Sequence, residues 1–149
     1  MAAAEKLSSD ELFVGPAPIE LAERIILSLE AQVQKALHLG FDTHTLSDVV
    51  AAIHSRDMQL WNAIRGGKVI GIEITEILKF PRKTVCNLFL TAASGHTLRQ
   101  WGPALLEQIE GFARAQGCDM VTGRGRIGWK KLAEGYGFNK PFILSAKRL

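Results

Sequence analysis

The sequence predicts an α/β fold, with a mixed central sheet flanked by helices. Three observations carry that prediction. Apolar residues recur at helical spacing through residues 19–40, and a Gly-Gly turn joins two strand-like stretches in mid-chain. A nearly continuous apolar strand is then followed by an amphipathic helix and a further strand. An antiparallel meander that leads into a β-α-β crossover is a layered α/β arrangement.

Residues 1–18 are polar and then punctuated by proline ("VGPAP"), which reads as an N-terminal arm ahead of one domain over 19–149. Within "IELAERIILSLEAQVQKALHLG", Leu21, Ile25, Leu29, Val33 and Ala36/Leu37 share one helical face, and Gly40 follows as the C-cap. "TLSDVVAAIHSRD" predicts a second helix, with Thr45 as N-cap and Asp48 in the capping-box position. These two helices make an N-terminal helical addition to the sheet.

"MQLWNAIR" and "KVIGIEITEIL" flank Gly66-Gly67, a hairpin signal because both turn positions need positive φ. Ile70, Ile72 and Ile74 alternate with Gly71, Glu73 and Thr75, so one face of that strand is apolar and Glu73 is expected to face solvent. After the "FPRK" turn, "TVCNLFL" reads as a strand covered on both faces. A helix is predicted from Pro103 to Gln116, with Leu105, Leu106, Ile109, Phe112 and Ala113 as its stripe and Gly117 as its stop. "CDMV" is the next strand, "IGWKKLAEG" a short helix and "PFILSAK" a closing strand.

Composition narrows the function classes. An apolar fraction of 47% with 22% charged residues belongs to a folded soluble domain. A formal charge of +3 is too small to argue nucleic-acid binding from the whole-chain balance. No apolar run approaches a membrane span, and the N-terminus lacks the apolar core of a secretory signal. Cys86 and Cys118 lie in apolar stretches and read as reduced, buried thiols of a cytosolic protein. His38, His44, His54 and His96 show no metal-ligand spacing, so no metal site is expected.

Two local patterns carry chemistry. Arg99-Gln100-Trp101-Gly102-Pro103-Ala104 has the R-x-x-G-x-A spacing of a loop that cradles a pyrophosphate at a helix N-terminus. Pro103 has no N–H to give, yet it suits the first helical position, so a plain Gly-Pro helix start is the competing reading. Arg99 is either a phosphate contact or a solvated loop arginine, and Trp101 a core residue rather than a platform for an adenine. In "TGRGRIGWKK", Arg124, Arg126, Lys130 and Lys131 cluster, with Lys140, Lys147 and Arg148 further on. That patch is either a solvated helix edge or a contact for nucleic acid, a phosphorylated cofactor or an acidic protein surface.

The stretches "AIRGGKVIGIEI", "CNLFLTAASG", "RQWGPALLEQIEGFARAQGCDMV" and "LAEGYGF" together resemble the GNAT (GCN5-related N-acetyltransferase) superfamily over residues 45–149. The "PRK" turn, "ARAQGC" and "GRIGW" are also similar to short GNAT-like proteins encoded among head and tail genes of tailed bacteriophages. The resemblance implies a GNAT-like acyl-CoA N-acyltransferase fold. It implies acetyl-CoA or CoA as the cofactor, held by Arg99, Gln100, Trp101, Gly102 and Ala104. In the family a Tyr five residues before the Gly-Phe phenylalanine protonates the leaving thiolate. Here that position is Ala133, and the family's Asn and small-residue positions are Arg126 and Trp129. Tyr136, two residues before Phe138, is a weak candidate acid. Glu73 and Glu76 stand on the strand where the family sometimes carries a base, and Glu73 is the weak candidate.

With the acid replaced, the resemblance implies a phage-type protein that has lost acetyl transfer and acts by binding, as a virion-associated or assembly component. Its partners would be other particle proteins or itself, without nucleic acid or membrane. Its place would be the cytoplasm of a bacterial host or the phage particle. The alternative is an active acetyl-CoA-dependent N-acetyltransferase acting on an amine of a small molecule or protein.

Overall fold

A computed structural model describes residues 11–124, 133–139 and 144–149. Its sheet has five strands in the order β1 (Leu12–Pro16), β2 (Met58–Arg65), β3 (Lys68–Lys79), β4 (Thr84–Ala93) and β5 (Met120–Gly123). The first four pair antiparallel and β5 joins β4 in parallel, so the sheet is mixed. Helices α1 (Ala22–Leu27), α2 (Glu30–Leu39) and α3 (Leu46–His54) precede β2, and α4 (Leu98–Ala115) makes the crossover from β4 to β5.

Part of the segment expected to be an arm is instead the edge strand. Leu12, Phe13 and Val14 pair with Arg65, Ile64 and Ala63, and Pro16 ends the strand where its missing N–H costs nothing. Gln108 Nε2 of α4 donates to Val14 O at 2.9 Å, which ties this edge to the body. The long helix expected over 19–40 is a 3-10 turn (Ile19–Leu21) and then two helices, separated at Ser28 and Leu29. Ser28 Oγ turns back onto Ile25 O, a local bond that competes with the helical ladder. The apolar face survives the break, since Ile25, Ile26, Leu29, Val33 and Leu37 are all buried, whereas Leu21 is exposed. Gly40 is the C-cap at φ −86°, and the positive φ values fall on Phe41 and Asp42 instead.

The Thr45–Asp48 capping box is complete in both directions, 3.1 Å from Asp48 N to Thr45 Oγ1 and 2.8 Å from Thr45 N to Asp48 Oδ2. Those bonds to the charged form hold the Asp48 carboxyl below its usual range. Gly66 and Gly67 take φ of +60° and +72°, as a two-residue hairpin requires. β4 is covered on both faces, with Val85, Cys86, Leu88, Leu90 and Ala92 buried.

Two cores sandwich the sheet. One lies under α1–α3 and is aliphatic, built on Ile26, Val33, Val49, Ile53, Ile72 and Ile74. The other lies under α4 and includes Trp61, Trp101, Cys86, Leu105 and Ile109. Cys86 and Cys118 are both free thiols, and burial pushes the Cys86 thiol up to about 11, so it stays protonated and unreactive at neutral pH. Cys118 precedes β5 rather than lying in it.

Of the last predicted helix, Ala133–Gly135 are helical and residues 127–132 lie outside the described residues. Of the closing strand, residues 141–143 lie outside them too, and Leu144–Lys147 are not in a strand. Trp129, Arg126, Lys130, Lys131 and Lys140 also lie outside the described residues. Arg124, Lys147 and Arg148 are exposed.

Candidate functional site

The site forms where β4 and β5 part. Their pairing runs from Val85–Met120 to Leu88–Gly123 and, among the described residues, stops there. Just beyond, Ile74 pairs with Leu90 and Thr75 with Leu88, so Phe89 is the extra residue of a β-bulge. A bulge bends its strand and ends local pairing, which is why such irregularities accompany sites. A pocket of about 30 Å³ lies beside this parting. It is lined by Glu73 from β3, Leu88 and Thr91 from β4, Trp101, Gly102 and Leu105 from α4, and Tyr136 and Phe138 from the turn after Ala133.

The helix start corrects the reading of the R-x-x-G-x-A motif. α4 begins at Leu98 with Thr97 as N-cap, and Pro103 lies inside the helix rather than opening it. Arg99 and Gln100 are in the first turn and exposed, Trp101 and Gly102 are buried, and Ala104 faces solvent. In an α-helix the N–H groups of Gly102 and Ala104 are committed to carbonyls four residues back. The motif's Gly102 and Ala104 thus lie within α4 and not in a loop ahead of it. Of the first-turn donors, Gln100 N–H already bonds Thr97 O at 2.8 Å. An anion at this end would be left with Leu98 and Arg99, with Arg65 alongside through its bond to Gln100 Oε1.

Trp101 has become core. It is 1% exposed, and its indole Nε1 donates to Thr97 Oγ1 at 3.2 Å. A Cβ on Gly71 would stand 2.2 Å from the Trp101 ring, so only glycine lets the ring lie against β3.

Glu73 does not face solvent. It is 5% exposed, because α4 covers the face of β3 that carries Gly71 and Glu73. Thr91 Oγ1 donates to Glu73 Oε2 at 2.5 Å, and Oε1 has no hydrogen-bond partner among the described residues. Burial pushes this carboxyl well above the usual carboxylate range, and the bonds from Thr91 and the Ile74 backbone only partly oppose it. Glu73 thus holds its proton more tightly than an exposed carboxyl does.

Ala133 is buried and its methyl side chain has nothing to donate. Tyr136 is directed into the pocket, and a Cβ on Gly102 would lie 3.3 Å from its hydroxyl. The structure therefore brings together Glu73, Trp101, Gly102 and Tyr136, and leaves Arg99, Gln100 and Ala104 outside the pocket lining. Thr91 is the functional partner that sequence reading missed. Glu76 is elsewhere, accepting from Asn87 Nδ2 at 3.0 Å, in a row that continues to Thr122. Among the described residues no group of three or more His, Cys, Asp or Glu could hold a metal ion, and no helix is long and apolar enough to cross a membrane.

No family model matches the sequence, and no curated protein does. The structure, by contrast, has close likenesses among solved ones. A GCN5-related N-acetyltransferase from Ralstonia eutropha aligns with a TM-score of 0.69 at 16% identity, covering 93% of this chain and 99% of that one. Glucosamine-6-phosphate N-acetyltransferase from Arabidopsis thaliana aligns at 0.66 and 17% identity over the same shares. An aminoglycoside acetyltransferase from an uncultured soil metagenomic sample aligns at 0.71 and 14% identity, again over 93% and 99%. At 93% coverage the shared architecture extends well beyond residues 45–149 and takes in the N-terminal helices. The chain has the GNAT acetyltransferase fold.

Proposed function

We propose that this protein has lost acetyl transfer and acts by binding, as a component of a phage-type particle or of its assembly, with other particle proteins or its own copies as partners. The observation that carries the loss is Ala133. It is buried at the place of the thiolate-protonating tyrosine and can donate no proton. Positioned general acids contribute roughly 10²–10⁴-fold in rate, so their absence removes most of what the fold would offer. The second support is the pyrophosphate motif, whose Gly102 and Ala104 are spent inside α4 and whose Trp101 is spent in the core. The binding role rests on the resemblance of the sequence to proteins encoded among phage head and tail genes. Its test is co-sedimentation of the full-length protein with assembled particles, where a fixed number of copies per particle is expected. Absence from particles, together with turnover of acetyl-CoA, would overturn it.

A second reading is favoured by one observation: Glu73 and Tyr136 line the same pocket. In it the chain is an acetyl-CoA-dependent N-acetyltransferase, with Tyr136 standing in for the missing acid. Tyr136→Phe would then reduce turnover by about 10²-fold or more. Turnover that Tyr136→Phe leaves unchanged would rule Tyr136 out as that acid.

A further inference from the structure

We propose that the β3–β4 hairpin tip is a docking surface for an acidic protein segment that carries apolar side chains, with Phe80 as its anchor. The stretch "KFPRK" sets Lys79, Arg82 and Lys83 around Phe80 and Pro81, and all of these residues are exposed, Phe80 at 57%. A phenylalanine contributes little to folding while it stands in water. The tip is nevertheless held in place. Phe80 N–H donates to Lys83 O at 2.8 Å, and Pro81 fixes its own φ in the loop between them. Thr84 N–H donates to Asp119 Oδ2 at 2.9 Å and Asp119 N–H to Thr84 O at 2.7 Å, so that carboxylate is turned to the backbone. A surface already ordered loses little entropy on binding.

An apolar row continues from Phe80 across the sheet. Leu78 pairs with Val85 and Val85 with Met120, so the three side chains leave the same face. That face of β3 also carries Ile74, which packs under α1–α3. Cover ends before this corner, where Leu78 is only partly buried and Met120 is 45% exposed. The bond from Phe80 to Lys83 extends the pairing by one step, so Phe80 keeps the alternation and lies on that face too. Glu76, further in along that face, accepts from Asn87 Nδ2 at 3.0 Å. Nucleic acid would give phosphates to the three cations but nothing to Leu78 and Met120, and an anionic membrane would meet the tip alone. A protein segment answers both features, with carboxylates toward Arg82 and Lys83 and an apolar side chain on Phe80 and Met120. Like charge opposes the meeting of two such tips. This corner lies at the end of β4 away from its parting with β5, so the inference does not rest on the fate of acetyl transfer.

The test is fluorescence anisotropy of a labelled acidic peptide, in which Asp alternates with Leu, titrated with the full-length protein. Saturable binding is expected. Phe80→Ala, the double variant Arg82→Glu/Lys83→Glu, and replacement of Asp by Asn in the peptide should each lower the affinity about tenfold or more. Lys35→Glu, the same charge change at an exposed position on α2, should leave it unchanged. Added salt should weaken binding, and the loss in Phe80→Ala should persist at high salt because burial of the ring is not screened. An absence of saturable binding up to about 1 mM protein would overturn the proposal, as would an equal loss in Lys35→Glu. So would tighter binding of an oligothymidylate or of phosphatidylserine vesicles, or self-association of the protein that Phe80→Ala abolishes.

Discussion

The sheet face under α1–α3 is closed by Ala, Ile, Leu, Val and Met, whereas the face under α4 encloses Trp61, Trp101, Cys86 and the acid Glu73. Both faces bury their residues well, and the α4 face adds a buried carboxyl, Glu73. The aliphatic face is closed by apolar packing apart from Asn62, whose Oδ1 is buried without a partner among the described residues. The α4 face sets a buried carboxyl, the Trp101 indole and the Tyr136 side chain around a water-sized space. Of the R-x-x-G-x-A residues, Trp101 and Gly102 are packed inside while Arg99, Gln100 and Ala104 are exposed.

The largest effect should come from Trp101→Ala. It removes the side chain that joins α4 to β3 and should cost about 3–5 kcal/mol in chemical denaturation. Ile74→Ala on the aliphatic face should cost about 2–5 kcal/mol, and a far smaller loss there would mean that this core can collapse around the gap. Gly71→Ala should act through the same Trp101 contact and cost about 1–3 kcal/mol, since a Cβ there overlaps the ring. A neutral Gly71→Ala would show that Trp101 is not held against β3.

Next in size is a pH effect. Glu73 binds its proton more tightly folded than unfolded, so the stability it contributes is complete below the unfolded value of 4.5 and is lost as pH rises through the folded value. Over that window the wild type should lose up to about 1.4 kcal/mol per pH unit relative to Glu73→Gln. Parallel melting curves of the two proteins from pH 4 upward would contradict a Glu73 carboxyl raised by burial. The smallest effect belongs to the aliphatic side, where Thr45→Ala should cost about 1 kcal/mol through loss of the α3 cap.

Much of this fold was legible in the sequence because its signals are local. The Thr45–Asp48 box, the Gly66-Gly67 turn and the stripe of α2 report their own geometry. β1 was not legible, because "LFVGP" shows only Gly and Pro punctuation, and its partner lies some fifty residues away in β2. The start of α4 was misread because Gly102-Pro103 imitates a helix start. Leu98 and Trp101 already extend the stripe of Leu105 and Ile109 backwards, and that spacing was the available clue. Glu73 was misassigned to solvent by alternation alone. Gly71, a glycine inside a strand, was the signal that another element approaches closely on that face. The placement of Tyr136 depends on the turn that carries it and on the bare face of Gly102, neither of which spacing encodes.

The loss of acetyl transfer is tested most directly by release of free thiol from acetyl-CoA with the full-length protein and a broad set of amine acceptors. The account predicts a rate no greater than that of the protein-free reaction. Sustained turnover that falls about 10²-fold or more in Tyr136→Phe would contradict it and make Tyr136 the acid that Ala133 is not.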